Sequence, residues 1–213
     1  LHHSLPEAVV ITFVLIDGAG GGGGGGSVTW NPSDKSADIQ LSGGNLIATK
    51  INAVDVEAVR CNTALSGKKY FEVVVDVSGG SGEFILIGIA NLTFPVSGGP
   101  GQDTDSYGYY QDTGEKYYNN VLSSYGATYK TNGDVIGVAV DTAAGKIWWS
   151  KNGTWQNSGD PAAGTGEAFS GISGTFYPCV SLYKNTAAAQ QVTGHFASGD
   201  LTYSPPSGFS SME

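Results

Sequence analysis

The sequence predicts an all-β protein in which two antiparallel sheets pack face to face. Strand-like runs recur at short intervals from residue 27 onward, and turn signals rich in Gly and Asn separate them. Charged residues make up only 14% of the chain, which is low for a protein of long amphipathic helices. No segment shows sustained helical periodicity. About a dozen short strands in about 185 residues therefore favour a β-sandwich.

The N-terminal end differs in character from the rest of the chain. Ala8 to Ile16 is apolar and rich in β-branched residues, which predicts a strand buried on both faces. It is about half as long as a membrane span, and it lacks the basic flank and cleavage site of a signal peptide. Because it is too apolar to be left in water, we expect it to pair with a sheet edge or with another chain.

The glycine run that follows, Gly20 to Gly26, is either a flexible tether or an ordered segment packed against the sheet. The tether is the simpler interpretation. We therefore divide the chain into an apolar attachment strand at residues 1–19, a glycine linker at residues 20–26, a sandwich at residues 27–200 and a C-terminal tail at residues 201–213.

Two stretches predict β-hairpins. In the first, residues 70–77 alternate, a glycine-rich turn follows, and a second apolar run covers residues 84–90. In the second, residues 135–141 form the first strand, residues 142–145 form the turn and residues 146–150 form the second strand. Asn152-Gly153 then favours a type I′ turn, because both residues accept positive φ angles.

Charge and cysteine content exclude several classes of protein. A net charge of −9 argues against a nucleic-acid partner, and the lack of any basic cluster argues against an anionic membrane surface or membrane insertion. The two cysteines, Cys61 and Cys179, lie in strand-like contexts and are interpreted as buried small hydrophobes. A disulfide between them requires that their two strands be neighbours.

Five stretches, in their order and spacing, resemble the SPRY domain: YFEVVVDV, LIGIA, YGYYQDTGEKYYNN, GDVIGVAVDTAAGKIWWSKNGTW and FYPCVSLY. The most specific piece is the strand that begins at Gly133-Asp134 and whose return strand ends at Lys151-Asn152-Gly153. The resemblance covers roughly residues 27–197 and implies a concanavalin-like antiparallel β-sandwich.

The sequence also resembles the SPRY subgroup of tailed-bacteriophage structural proteins, on the stretches TWNPSDKSADIQLS and NGTWQNSGDPAAGTG. That resemblance implies a non-enzymatic recognition or structural module of a virion. Such a module would bind a host surface glycan or protein, or a neighbouring virion protein, through loops at one end of the sandwich. A homotrimer would fit this role in a virion. The alternatives are a lectin or glycan hydrolase on the same sandwich, and a peptide-binding adaptor like eukaryotic SPRY proteins.

Aromatic residues are the candidate ligand contacts, because they combine a large contact area with a polar group. The alternative is that they alternate between core and solvent along sheet strands. Of the adjacent Trp148 and Trp149, one should face the core and the other should lie nearer solvent or under a loop or neighbouring subunit. Trp155 opens a long loop, either as a packing anchor or as a binding platform. The candidates are Tyr107, Tyr109, Tyr110, Tyr117, Tyr118, Trp149 and Trp155.

Catalytic and metal-binding patterns are missing from the sequence. There is no E-x-D-x-x-E of a glycan hydrolase, and His195 lies in a strand-like run where a structural role is expected. Asp103, Asp105 and Asp112 could ligate a hard cation but lack EF-hand spacing, so we interpret them as solvated loop acids. We predict no catalytic residue, no metal and no cofactor.

Overall fold

The computed structural model describes residues 27–52, 55–80, 82–184 and 189–213. The predicted attachment strand and glycine linker lie outside these residues, and the domain boundaries stay predictions. The described strands are β1 (Trp30–Lys35), β2 (Ile39–Ser42), β3 (Ile47–Lys50), β4 (Val56–Cys61), β5 (Lys68–Val77), β6 (Phe84–Ala90), β7 (Ser106–Tyr110), β8 (Glu115–Tyr118), β9 (Val121–Ser124), β10 (Val135–Asp141), β11 (Lys146–Lys151), β12 (Thr154–Trp155), β13 (Tyr177–Tyr183) and β14 (Gln190–His195).

These strands form two seven-stranded sheets. Sheet A has the order β1-β4-β13-β6-β7-β8-β9, and sheet B has the order β12-β11-β10-β5-β14-β3-β2. The pairs of neighbouring strands are antiparallel throughout. The helical content of the described residues is a three-residue 3₁₀ turn, Gln156–Ser158. The predicted all-β, two-sheet sandwich is confirmed.

The core lies between the two sheets and follows the period-two alternation of their strands. On β5, Phe71 and Val73 face the interior, whereas Tyr70 and Glu72 point to the outer face of sheet B. Ile87 of β6 is fully buried in the same core from sheet A. Burial of these apolar faces supplies the main driving force for folding, at about 25 cal/mol per Å².

The second predicted hairpin is confirmed, and its motif has a structural role. β10 pairs with β11, and Asn152 and Gly153 have φ angles of 49° and 77°, as a type I′ turn requires. The side-chain nitrogen Nδ2 of Asn152 donates to Asp134 Oδ1 at 2.9 Å, and the side-chain oxygen Oδ1 of Asn152 accepts from the Val135 backbone amide at 2.8 Å. Lys151 Nζ lies 3.2 Å from Asp134 Oδ2. The motif therefore ties the start of β10 to the end of β11.

The first predicted hairpin is wrong. β5 belongs to sheet B, where it pairs with β10 and β14, whereas β6 belongs to sheet A, where it pairs with β13 and β7. The connection at residues 78–83 therefore crosses from one sheet to the other. Both strands are buried on both faces, so their patterns carry no signal for which strand lies beside which.

The long loop between β6 and β7, residues 91–105, covers part of the outer face of sheet A. Gly88 and Gly108 lie opposite each other at this point. A Cβ on Gly108 would lie 2.0 Å from the Pro100 carbonyl oxygen, and one on Gly101 would lie 2.5 Å from the Tyr117 carbonyl oxygen. Glycine therefore permits the loop backbone to contact the sheet directly.

The C-terminal segment, residues 197–213, covers part of the outer face of sheet B. Leu201 and Phe209 pack against Trp148, whose indole nitrogen donates to the Thr165 carbonyl at 2.8 Å. Trp149 points the other way, into the core. The expectation that one tryptophan of the pair lies near solvent is wrong, because this segment and the loop before β13 cover the outward one. Cover of the outward tryptophan by a loop was the alternative expectation from the sequence.

The two cysteines occupy neighbouring strands but opposite faces. Cys179 on β13 pairs in register with Arg60, so the adjacent Cys61 on β4 points to the other side of sheet A. Cys61 lies in the inter-sheet core and Cys179 in a small cluster on the outer face. Both are buried free thiols.

Candidate functional site

An aromatic patch lies on the outer face of sheet A. Phe84, the first residue of β6, stacks on Tyr183, the last residue of β13, with ring centroids 4.7 Å apart. Tyr110, at the end of β7, meets Phe84 edge-on at 4.9 Å. All three side chains are half-buried, so each keeps a surface that a partner could contact. We call these residues, with Tyr117 and Leu122, the aromatic patch.

The patch contains an apolar pocket of about 120 Å³. It occupies the part of the outer face that the loop at residues 91–105 leaves open, and Gln102 of that loop forms one wall. Its floor and remaining walls come from β6 to β9. The lining residues are Phe84, Leu86, Gln102, Tyr110, Tyr117 and Leu122.

A polar pocket of about 380 Å³ adjoins the patch at one end of the sandwich. The two pockets share no lining residue among those described, but Glu83 precedes Phe84 and Gln111 follows Tyr110, so their linings adjoin at two points along the chain. The lining residues are Ser78, Gly79, Gly80, Glu83, Gln111 and Lys130. We call this end of the sandwich the pocket end.

Buried hydrogen bonds fix the geometry of the polar pocket. The Gln111 side chain accepts from the Ile85 amide and donates to the Tyr129 carbonyl, both at 3.0 Å. The Gly80 amide donates to Glu83 Oε2. Gly79 has a φ angle of 87°, which L side chains rarely adopt, so glycine is favoured there. The described residues of this connection, 78–80 and 82–83, are therefore tied to the Glu83 carboxylate, and the pocket is preformed.

Two of the three tyrosines of the patch, Tyr110 and Tyr117, are neutral hydrogen-bonding groups. Burial and the nearby Asp112 carboxylate raise the pKa of Tyr110, and burial raises the pKa of Tyr117. The Tyr117 hydroxyl donates to Asn120 Oδ1 at 2.6 Å. Each phenol thus presents an apolar ring and a hydroxyl at neutral pH.

The structure brings only two of the seven predicted aromatic residues, Tyr110 and Tyr117, into this patch, and their role as ligand contacts stays a prediction. Tyr107, Tyr109 and Trp149 lie in the inter-sheet core, where they are 8%, 0% and 0% exposed. They stabilise the sandwich and leave no surface for a ligand.

The remaining two predicted residues are half-buried packing residues. Tyr118 stacks on Tyr107 at 4.6 Å between ring centroids. Trp155 meets Tyr70 at 6.1 Å on the outer face of sheet B, under the C-terminal segment. These contacts are those of a packing anchor for its loop, one of its two interpretations from the sequence, and a role for Trp155 in binding a ligand stays a prediction.

Sequence reasoning missed Phe84, Tyr183, Glu83, Gln111 and Lys130. Phe84 and Tyr183 stand at the ends of strands that are apolar on both faces, so alternation cannot assign them to the outer face. A usable signal was the aromatic residue at a strand end beside a glycine-rich turn, because loops at strand ends carry most binding residues.

A buried carboxylate on sheet B is the one place where a His, a Glu and a Tyr meet in the described chain. Glu72 accepts from the Tyr70 hydroxyl at 2.8 Å, and His195 Nδ1 lies 3.6 Å from its Oε2. The amides of Thr202 and Tyr203 donate to the same carboxylate at 2.7 and 2.8 Å. The carboxylate is enclosed by the C-terminal segment that it holds, which is a structural arrangement.

The acids and bases of the described residues form no group of three or more that could hold a metal ion. Of the predicted loop acids, Asp103 accepts from the Asp105 amide, and Asp112 pairs with Lys130. Within the same described ranges, no helix has the length and apolar character needed to cross a bilayer.

The fold and the site define a β-sandwich with a preformed, largely aromatic surface beside loops at one end. A family model described as the SPRY domain matches residues 68–196, which is more than half of the chain. The chain therefore belongs to the SPRY family, as its sequence motifs indicate.

Relatives and solved structures agree with this assignment. The chain is 32% identical over 162 residues to Ran-binding protein 9 of Xenopus tropicalis, covering 72% of this chain and 28% of that protein. It is 33% identical to the Homo sapiens protein of the same name, covering 72% of this chain and 21% of the relative. The chain thus spans about a quarter of the length of these relatives.

The fold resembles the SPRY domain of human HERC1. The two structures superpose with a TM-score of 0.64 at 20% sequence identity, over 82% of this chain and 99% of the other. At this identity the similarity shows the fold.

The predicted bacteriophage context is wrong. The relatives are Ran-binding proteins of a frog and of man, so neither a virion module nor a virion location is supported. The stretches that carried the phage resemblance have structural roles instead. Asp34, in the first stretch, holds Arg60 with two hydrogen bonds of 2.7 and 2.6 Å. Thr165, in the second stretch, accepts from Trp148 through its carbonyl oxygen.

Proposed function

We propose that this chain is a non-enzymatic protein-interaction domain that binds a short peptide segment of a partner protein. The observation that carries the proposal is that the aromatic patch and the polar pocket adjoin each other at the pocket end, through Glu83-Phe84 and Tyr110-Gln111. This was the alternative interpretation of the sequence, as a peptide-binding adaptor of the eukaryotic SPRY type.

The chemistry of the surface suits a peptide. Tyr and Phe side chains provide contact area at a small cost in conformational entropy, and such residues dominate binding energies at protein interfaces. The polar pocket adds a polar wall beside the patch, which includes the exposed Lys130, whose ammonium group also pairs with Asp112. A small polar ligand would use the second pocket and leave the aromatic patch without a role.

The names of the relatives support a protein partner. Ran-binding protein 9 is named for binding Ran, and Ran is therefore one candidate partner for this chain. Because the chain spans about a quarter of those relatives, the region that binds Ran in them is not identified by this similarity. The first experiment must therefore be independent of any one partner.

Selection from a random twelve-residue peptide library against the purified chain tests the proposal, with Ran assayed in parallel. Tyr110→Ala should weaken binding of the selected peptides by about thirty-fold, the effect of an interface hot spot of about 2 kcal/mol. Leu92→Ala is the matched control, because Leu92 is 65% exposed and lies in the loop at residues 91–105, outside the patch. It should leave the affinity unchanged.

Two results would contradict the proposal. One is a library that yields no binding peptide. The other is a set of selected peptides that bind the Tyr110 variant as tightly as the original chain. Binding to a glycan array in place of peptides would favour the lectin alternative, and release of reducing sugar would favour a hydrolase.

A further inference from the structure

Among the described residues, β9 is an unprotected edge strand of sheet A. Within these ranges it pairs with β8 on one side only, and all four of its residues are exposed, Val121 at 60% and Leu122 at 41%. Its four residues include no charge, no proline and no register shift. Natural proteins use these features to block pairing with a further strand, so β9 is open to such pairing. By contrast, the edge strand β1 carries Pro32, Asp34 and Lys35.

The turn before β9 fixes which main-chain groups face outward. Asn119 and Asn120 have φ angles of 50° and 59°, which identifies a two-residue type I′ turn. In such a hairpin the flanking pair, Tyr118 and Val121, exchanges both of its hydrogen bonds. The amide and carbonyl of Leu122 therefore point away from β8, and so do those of Ser124.

The side chain of Leu122 connects this edge to the aromatic patch. Leu122 lies opposite Tyr117 across the β8–β9 pair, and both side chains line the apolar pocket. A cavity of about 150 Å³ accommodates a benzene molecule, so the pocket of about 120 Å³ suits a single large apolar side chain. A strand added to β9 would place alternate side chains on this same face.

Charge selects a partner rather than a second copy of the chain. On β8, Glu115 shares the outer face with Tyr117, whereas Lys116 turns to the other face and donates to the Ala168 carbonyl. The chain as a whole carries a net charge of −9, so two copies repel each other. A segment with Lys or Arg near Glu115 is attracted instead.

We propose that β9 binds an extended segment of a partner protein as an eighth strand of sheet A. Main-chain hydrogen bonds to Leu122 and Ser124 supply affinity, one apolar side chain enters the pocket, and a basic residue faces Glu115. This inference rests on the proposed function and states the mode of binding.

The test uses the strongest peptide from the library selection and follows amide hydrogen exchange by NMR. Saturation with the peptide should slow exchange of the Leu122 and Ser124 amides by at least ten-fold. The amides of Val121 and Ser123, which face β8, are protected already and should change little. Selected peptides should also alternate large apolar with polar residues and carry Lys or Arg.

A substitution separates main-chain pairing from side-chain contact. Ser124→Pro removes an outward N–H without touching the bonds to β8, and should weaken peptide binding about ten-fold. Ser124→Thr keeps the N–H and should bind as the original chain does. If the proline variant fails to fold, hydrogen exchange at the Leu122 and Ser124 amides of the original chain still tests the inference.

The outcomes distinguish this inference from the proposed function. A peptide that binds in a Tyr110-dependent manner, but leaves the Leu122 and Ser124 amides unprotected, overturns the inference and leaves the proposed function standing. A library without binders overturns both. Protection of these amides in the absence of peptide, together with a dimeric mass in solution, would assign the edge to a second copy and overturn the choice of a partner segment.

Discussion

Glu72 should hold the C-terminal segment on sheet B, and Glu72→Ala tests this. The fully buried carboxylate accepts from the amides of Thr202 and Tyr203 and from the Tyr70 hydroxyl, at 2.7 to 2.8 Å. Hydrogen bonds to a charged group each contribute about 1.5–3 kcal/mol. Because the two amides can regain water once the segment moves, we expect a net loss of about 3–5 kcal/mol.

The loss should be measured by thermal and urea unfolding followed by tryptophan fluorescence. For a chain of this length, about 2–4 °C of melting temperature corresponds to each kcal/mol, so the midpoint should fall by about 10 °C. Glu72→Gln keeps one acceptor oxygen and should lose about half as much. Glu115→Ala, a half-buried surface glutamate, is the control and should change the midpoint little.

The same carboxylate predicts how stability depends on pH. Burial raises the pKa of Glu72, but the nearby His195 ring and the hydrogen bonds from the amides of Thr202 and Tyr203 and from the Tyr70 hydroxyl outweigh burial and hold the pKa below its ordinary value. A lowered pKa in the folded state stabilises the fold above the unfolded pKa of about 4.3. That stability is lost as pH falls through the folded pKa, so the difference between the original chain and Glu72→Gln should be full at pH 7 and vanish in acid.

Two results would refute this reasoning. One is a Glu72→Ala variant that melts within about 2 °C of the original chain. The other is unchanged hydrogen exchange at the amides of Thr202 and Tyr203 in that variant. Either would mean that apolar packing of the C-terminal segment holds it in place without the carboxylate.

Three further predictions follow from the fold. Gly108→Ala places a Cβ 2.0 Å from the Pro100 oxygen; we expect a loss of about 2 kcal/mol in urea unfolding and faster proteolysis of the loop at residues 91–105. Asn152→Ala removes two hydrogen bonds and places alanine, which tolerates a positive φ less well than asparagine, at a φ of 49°. It should lower the unfolding free energy by about 2–3 kcal/mol. Burial raises the pKa of the Cys61 thiol to about 12 and that of Cys179 still further, so neither should react with a thiol reagent at pH 8 until urea unfolds the chain.

Local chemistry explains the parts of the fold that the sequence predicts correctly. The β10–β11 hairpin and the Asn152-Gly153 turn depend on neighbours in the chain, where alternation and turn residues are decisive. The β5–β6 pair fails because each strand is apolar on both faces and the glycine-rich connection fits either a hairpin or a crossing between sheets. Its partners, β10 and β13, lie far away in sequence.

The candidate site was predictable only in part, for a similar reason. The run from Tyr107 to Tyr118 alternates between core and outer face, so tyrosine content alone cannot separate Tyr109 from Tyr110. The cover of Trp148 depends on Phe209, sixty-one residues later in the chain, which no local pattern reveals. Non-local packing decides which aromatic residues a partner can reach.

The positions of the two ends of the described fold determine how the domain is presented. The Val28 amide donates to the Glu213 side chain at 2.8 Å, and both residues lie beside the turn at Gly43 and Gly44. That turn lies at the far end of sheet B from the loop at residues 78–83. An attachment through Glu213 would therefore lie at the end of sheet B opposite the pocket end, and would leave the pocket end accessible to a partner in solution.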